Sequence, residues 1–263
     1  MLKLVATDLD GTLLHTDGSV TPRTRRVLAA LEEQGVLVVF VTGRPIRWMD
    51  DLWEHVGGHG VAVCSNGAVV YDVHARRVAR ARTLDPRVAV EVGGLLRTTI
   101  PGTSFAVENA HGFAREPGFM PRVPPPDGVR VAPLEQIAAA DTVKLLARHE
   151  ELDPQRFWER VEELAGDRVT TTWSSTGALV EISAAGVTKA STLQLLCDEH
   201  GIGPDEVVAF GDMPNDLPML AWAGTAYAMA NAHPTVSALA SRRAPSNEDD
   251  GVAAVLEELF GLG

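Results

Sequence analysis

The feature that most constrains the fold is a recurrence: short, apolar, β-branched runs that each stop at a polar loop. Residues 2–7 form one such run and end at Asp8-Leu9-Asp10-Gly11-Thr12; residues 36–41 end at Thr42-Gly43-Arg44, residues 61–64 at Ser65-Asn66-Gly67, and residues 207–210 at Gly211-Asp212. Runs this short and this uniformly apolar read as strands buried on both faces, the texture of a parallel sheet covered by helices. Helical signals lie between them. Thr21 stands as an N-cap before Pro22 at the first helical position, Val27, Leu28 and Leu31 supply an apolar face, and Gly35 closes the helix. Residues 189–200 form another helix, closed by Gly201, and Pro214 fits the start of a third. Polar residues therefore collect at strand C-termini, where a doubly wound α/β sheet presents a site.

Between these stretches the texture changes. Residues 85–98 are helix-like, residues 103–107 alternate, and a proline loop follows at Pro124-Pro125-Pro126. Then come a strand over residues 142–147, a helix with Asp153 as N-cap and Pro154 at its first position, and strands near residues 168–173 and 178–182. The expectation is an α/β chain with a doubly wound, Rossmann-like parallel-sheet core, discontinuous over residues 1–84 and 184–263, and an α+β cap inserted at residues 85–183. A length of 263 residues accommodates two modest domains.

Composition narrows the class. Hydrophobic residues at 45% and charged residues at 22% exclude disordered, collagen-like and coiled-coil chains. The net charge of −12 repels phosphate backbones and anionic lipid, so neither nucleic acid nor membrane is an expected partner. The opening MLKLVATDLDGT carries an apolar run too short for a secretory leader, and cytoplasm is the expected location. Cys64 and Cys197 sit in no ligand spacing and read as buried apolar residues, and the eight histidines show no zinc-binding spacing. Met213, Met219 and Met229 read as core packing, with Trp48 and Trp53 packed in or beside a helix after Thr42.

Asp8 and Asp10 lie two residues apart at a strand end, so both carboxylates can point the same way at about 6.6 Å separation. Gly11 permits a sharp exit from the strand. One carboxylate could attack while the other handles a proton. Asp212 and Asp216 add acid at the end of another core strand, and clustered carboxylate oxygens suit a hard Mg²⁺ ion, which would attract a dianionic phosphate.

With these residues in view, the chain resembles the haloacid dehalogenase superfamily phosphatases of the Cof type with a class IIB cap. The family's motifs occur in order: Asp8 to Thr12, then Thr42-Gly43-Arg44, then Lys189, then Gly211-Asp212-Met213-Pro214-Asn215-Asp216, with the insert between the second and third. The tail Asn247-Glu248-Asp249-Asp250-Gly251-Val252-Ala253 resembles the family's closing pattern. The resemblance implies that Asp8 is a nucleophile forming an aspartyl-phosphate and that Asp10 is the acid, then base, at the leaving oxygen and the water. It implies Mg²⁺ on the Asp8 carboxylate, the Asp10 backbone carbonyl and the Asp212 carboxylate, with Asp216 orienting. Thr42, Gly43, Lys189 and Asn215 would hold the phosphate. Asp10 would keep its proton beside like charge, and Arg44 and Arg47 could add positive potential.

The implied substrate is a small phosphorylated metabolite, a sugar phosphate by family analogy. Its selection would fall to the cap, with Glu108, Asn109, His111, Arg115, Trp173 and Ser174 as candidates. Two alternatives stand beside it: a phosphosugar mutase of the phosphomannomutase type, and a non-catalytic phospho-ligand sensor. Retention of Asp8, Asp10, Lys189 and Asp212 argues against the sensor.

Overall fold

The computed structural model describes residues 1–49, 60–121, 123–125, 127–173 and 177–262; Trp53, Pro126 and Ser174 lie outside the described residues. The chain divides into two compact units, Met1–Arg44 with Trp48–Ala79 and Thr188–Gly263, and Pro45–Arg47 with Arg80–Val187.

The first unit begins with β1 (Leu4–Thr7), α1 (Pro22–Glu33), β2 (Leu37–Val41), β3 (Val61–Cys64) and β4 (Val69–Asp72), and the next strand, β5 (Arg77–Ala81), runs across the division at Ala79 and Arg80. Thr21 caps α1 by accepting the Thr24 N–H, and Pro22 occupies the first turn. The second unit carries α2 (Pro86–Thr99), β6 (Ser104–Asn109), β7 (Gly112–Arg115), β8 (Arg130–Val131), α3 (Leu134–Ile137), β9 (Thr142–Arg148), α4 (Pro154–Ala165), β10 (Val169–Thr172) and β11 (Leu179–Ala184). The chain then returns to the first unit through α5 (Lys189–His200), β12 (Val207–Gly211), α6 (Leu217–Trp222), β13 (Thr225–Met229), α7 (Pro234–Leu239), β14 (Arg242–Ala244) and α8 (Gly251–Phe260).

The first unit's sheet has the order β14-β13-β12-β1-β2-β3-β4-β5. Pairings from β14 to β3 are parallel, and β4 runs antiparallel to β3. The parallel core matches the expected α/β class, and β4 and β5 extend it on one side. β1 is central: Leu4 pairs with both Val207 and Leu37, and Thr7 with both Phe210 and Phe40. All four β1 residues are buried. One face packs Leu4, Ala6, Val39 and Val41 against Leu193, Leu196 and Cys197 of α5. Cys64 and Cys197 are buried free thiols, as expected of small apolar fillers.

In the second unit the sheet order is β10-β11-β9-β6-β7-β8, antiparallel except between β7 and β8. Ala89, Val92 and Leu96 of α2 and Phe157, Val161 and Ala165 of α4 cover Phe105, Val107, Leu145, Ala147, Val180 and Ile182. Leu84 belongs to this core, and its N–H donates to the Thr142 carbonyl, so the unit begins earlier than the apolar texture of the sequence indicated. Two expectations need correction. Trp48 is exposed, in a 3₁₀ turn over residues 46–48, rather than packed, while residues 50–59, where the expected helix after Thr42 would continue, lie outside the described residues. Met219 and Met229 are fully buried, whereas Met213 is only half-buried, lying in the polar turn before Asp216. Among the described residues no helix is long and apolar enough to cross a membrane.

The tail motif closes the first unit. Asp250 accepts from the hydroxyls of Thr21 and Thr24 at 2.8 and 3.1 Å and lies 3.3 Å from His15 Nε2. Burial disfavours its charge, but the hydrogen bonds from Thr21, Thr24 and His15 outweigh it and hold the carboxyl below its ordinary value. A depressed carboxyl stabilises the fold above its unfolded value and loses that contribution as pH falls through the folded one. Asp250 sits at φ 53°, a conformation asparagine tolerates. The gap in melting temperature between the wild type and Asp250→Asn is therefore expected to be full at neutral pH and to close below about pH 4; a pH-independent gap would count against this account.

Candidate active site

Because β1 lies between β12 and β2 in register, the residues just beyond these strands share one edge of the sheet. That edge receives Asp8 from β1, Asp212 from β12 and Thr42 from β2. Lys189 arrives as the first residue of α5, whose N-terminus is fixed by reciprocal hydrogen bonds between Thr188 and Ser191. Gly67 lets α5 approach: a Cβ there would lie 2.2 Å from the Thr188 carbonyl oxygen. Thr192 Oγ1 donates to the Gly67 carbonyl at 2.7 Å, locking the approach.

The Lys189 ammonium donates to Asp8 Oδ1 at 2.8 Å and Asp216 Oδ1 at 2.7 Å. The other Asp216 oxygen accepts the N–H groups of Asp212 and Met213, both at 3.0 Å, which sets the turn of the acidic loop. Thr12 Oγ1 donates to Asp212 Oδ1 at 3.0 Å. Asp8, Asp212 and Asp216 each offer an oxygen within 4.8 Å of the others. All of these side chains are buried.

Three carboxylates against one ammonium leave surplus negative charge. Burial, then the neighbouring Asp216, pushes Asp212 up to about 7, with the Thr12 hydroxyl opposing. Burial also raises Asp8, Asp216 and Asp212 adding to it against the attraction of Lys189. Burial disfavours the Lys189 charge, but Asp216 and Asp8 outweigh it and keep the ammonium protonated. An all-oxygen donor set with uncompensated negative charge fits a hard divalent cation.

Asp10 has a different setting. Its carboxylate is exposed and receives a two-bond fork from Arg44, at 2.8 Å from Nε and 2.5 Å from Nη2. Asp10 still adds to the negative field that raises Asp212, and Arg44 sets an opposite charge directly against the Asp10 carboxylate. In the fork both Asp10 oxygens are acceptors, so donating a proton requires Asp10 to leave Arg44.

Thr42 accepts the Arg44 N–H on its hydroxyl at 3.0 Å, with Gly43 between them. The Asn66 N–H donates to the Thr42 carbonyl and the Ser65 N–H to the Arg44 carbonyl, so the two polar loops brace each other. Ser65 and Asn66 adopt positive φ there. Asn215 Nδ2 donates to Asn66 Oδ1 at 3.0 Å, while Asn215 Oδ1 is buried with no hydrogen-bond partner. Sequence reasoning missed Thr12, Asn66 and the Arg44 fork; the available signal was that Ser65-Asn66-Gly67 ends a strand on the same edge.

The cap candidates divide. Glu108 is buried in a fork from Arg47, whose guanidinium lies 4.6 Å from the Phe113 ring centre. Burial raises the Glu108 carboxyl, with Arg47 opposing. Arg44 and Arg47 are therefore committed to carboxylates rather than offered as loose positive potential. Asn109 Oδ1 accepts from Thr142 Oγ1, and Arg115 Nη1 donates to the carbonyls of Glu116, Pro117 and Phe119. His111 is exposed in the turn between β6 and β7, and Trp173 is half-buried after β10.

The sequence profile of the haloacid dehalogenase-like hydrolases matches residues 5–256. The chain belongs to that family. It is 29% identical to the 5-amino-6-(5-phospho-D-ribitylamino)uracil phosphatase YitU of Bacillus subtilis over 98% of each chain. It is 30% identical to the pyridoxal phosphate phosphatase YbhA of Escherichia coli, covering 95% of this chain and 96% of that one. The solved structure of the subclass IIB sugar phosphatase BT4131 shares its fold at a TM-score of 0.80 and 18% identity, covering 99% of this chain and 100% of that one. This haloacid dehalogenase-like hydrolase is a phosphoric monoester hydrolase.

A cation entering the acidic cluster must displace the proton that Asp212 holds below about pH 7. The dissociation constant for Mn²⁺, measured by electron paramagnetic resonance, is expected to rise at least about tenfold per pH unit below that value and to level off above it. A flat profile from acid to neutral pH would contradict this electrostatic account.

Proposed function

We propose that this phosphatase hydrolyses a small phosphomonoester, a sugar phosphate, in a Mg²⁺-dependent reaction through an aspartyl-phosphate on Asp8. The observation that carries the reading is the Lys189 ammonium, held between Asp8 and Asp216 at 2.8 and 2.7 Å on the edge that also bears Asp212. The Asp8 and Asp212 carboxylates and the Asp10 backbone carbonyl would hold Mg²⁺. When bound, the ion supplies positive charge that lets an anionic nucleophile meet an anionic phosphate.

The Asp8 carboxylate attacks phosphorus, and the bond to the leaving oxygen breaks. Asp10, swung off Arg44, gives that oxygen a proton and later takes one from the water that cleaves the aspartyl-phosphate, regenerating Asp8. Lys189 offsets charge on the phosphoryl oxygens. The Thr42 hydroxyl, already an acceptor for Arg44 N–H, donates its own proton to the phosphate, with Gly43 beside it. Asn215 uses one amide proton on Asn66 and has another for the same side of the phosphate. Asp216 orients Lys189 and the acidic loop. Substrate selection is assigned to the residue 85–183 insert, with Glu108, Asn109, His111, Arg115 and Trp173 as its candidates.

Inorganic phosphate release from hexose, pentose and triose phosphates, nucleotide monophosphates, flavin mononucleotide, pyridoxal phosphate and 5-amino-6-(5-phospho-D-ribitylamino)uracil tests this reading. Release that EDTA abolishes, led by a sugar phosphate, is expected. A non-sugar leading the panel would overturn the substrate class, and isomerised phosphosugar without free phosphate would indicate a mutase. Asp8→Asn should keep its circular dichroism spectrum and lose all turnover; phosphate release at the wild-type rate would remove Asp8 as nucleophile.

A further inference from the structure

The turn after β13 holds the acidic site from outside it. The His233 N–H donates to the Asp212 carbonyl at 2.8 Å, and two residues earlier Asn231 Nδ2 donates to the Gly11 carbonyl at 2.7 Å. Asn231 Oδ1 in turn accepts the Asn247 N–H at 3.1 Å, and Asn247 Nδ2 donates to the Leu14 carbonyl at 2.9 Å. Two asparagines thus bridge the loop after β1 to the tail loop before α8.

The Gly11 carbonyl belongs to the peptide whose other end is Thr12, and the Thr12 hydroxyl holds the Asp212 carboxylate. Gly11 sits at φ 74°, and a Cβ there would come within 2.4 Å of Asp212 Oδ2. Because the Thr12 hydroxyl bonds Asp212 Oδ1, a rotation of the Gly11–Thr12 peptide carries Thr12 with it and moves the hydroxyl that orients the carboxylate. A glycine at positive φ supplies little restraint of its own. The peptide is held instead at both its polar groups: the Thr12 N–H donates to the Leu9 carbonyl at 3.2 Å, and the Gly11 carbonyl accepts the shorter bond from Asn231 at 2.7 Å.

We propose that Asn231 is a positioning residue: by fixing the Gly11–Thr12 peptide it sets the orientation of the Asp212 carboxylate for the cation. The inference rests on the reading of Asp212 as a metal ligand. Asn231 is exposed, so truncating it removes its hydrogen bonds to Gly11 and from Asn247 without opening the core.

The test is Mn²⁺ binding to the full chain by electron paramagnetic resonance, with no substrate present, for the wild type, Asp212→Ala, Asn231→Ala, Thr12→Val and the Asn231→Ala/Thr12→Val pair. Asn231→Ala is expected to raise the dissociation constant about tenfold, the scale on which groups supporting metal ligands act. The double variant should be no more than marginally weaker than the worse single variant, because both break one relay. In turnover, kcat at limiting Mg²⁺ should fall and recover at saturating Mg²⁺, with KM for the phosphomonoester unchanged.

A merely structural residue would lower the melting temperature and leave the dissociation constant alone, and that result overturns the proposal. Additive losses in the double variant would also overturn it, because Asn231 would then act by another route. Wild-type protein whose Mn²⁺ affinity is unaffected by Asp212→Ala would instead overturn the ligand reading, and this inference with it. Should Asn231→Ala fail to fold, Asn231→Ser takes its place, since serine cannot span to Gly11.

Discussion

The buried ammonium of Lys189 is the interaction on which the rest of the catalytic edge depends. A charge with almost no solvent access persists only where partners replace its hydration, and Lys189 has two carboxylates at hydrogen-bond distance. Each partner then performs a second task. Asp216 spends its remaining oxygen on the Asp212 and Met213 N–H groups, so the turn of the acidic loop is tied to the same lysine. Asp8 meets the lysine through Oδ1 alone and is the carboxylate proposed as the nucleophile. Removing the lysine would leave buried like charges facing one another, a cost far larger than that of an exposed ion pair.

The surplus acid around that lysine has a purpose that a neutral pocket could not serve. Stability alone would favour apolar residues of similar size at these positions. Burial and the neighbouring Asp216 instead push the Asp212 carboxyl up to about 7. Asp10 is set apart from this buried cluster by its exposure and by its fork with Arg44.

Much of this was legible in the sequence because the parallel strands are buried on both faces and therefore uniformly apolar. β1, β2, β3 and β12 announce themselves, and their polar endings locate the site. β5 and β14 do not: their arginines look solvated, and only pairing at the two opposite edges of the sheet makes them strands. Lys189 was readable from its place in the motif order. Its pairing with Asp216, the Arg44 fork and the Asn231 relay were not, because such contacts join residues distant in sequence and leave no periodicity. The tail motif shows the same limit: its letters matched a family pattern, whereas its task, gripping Thr16, Thr21 and Thr24, is written only in three dimensions.

The central position of β1 also bears on how the chain is made. Its two neighbours are β2, some thirty residues on, and β12, some two hundred residues on. During synthesis the first aspartate emerges long before the strand and helix that complete its surroundings. The second unit, whose sheet and helices come from one continuous stretch, has all its partners in hand much earlier. Nascent chains that have already shaped the insert therefore still lack Lys189, Asp212 and Asp216 beside Asp8. Assembly order itself keeps Asp8 without these partners until synthesis has passed Asp216.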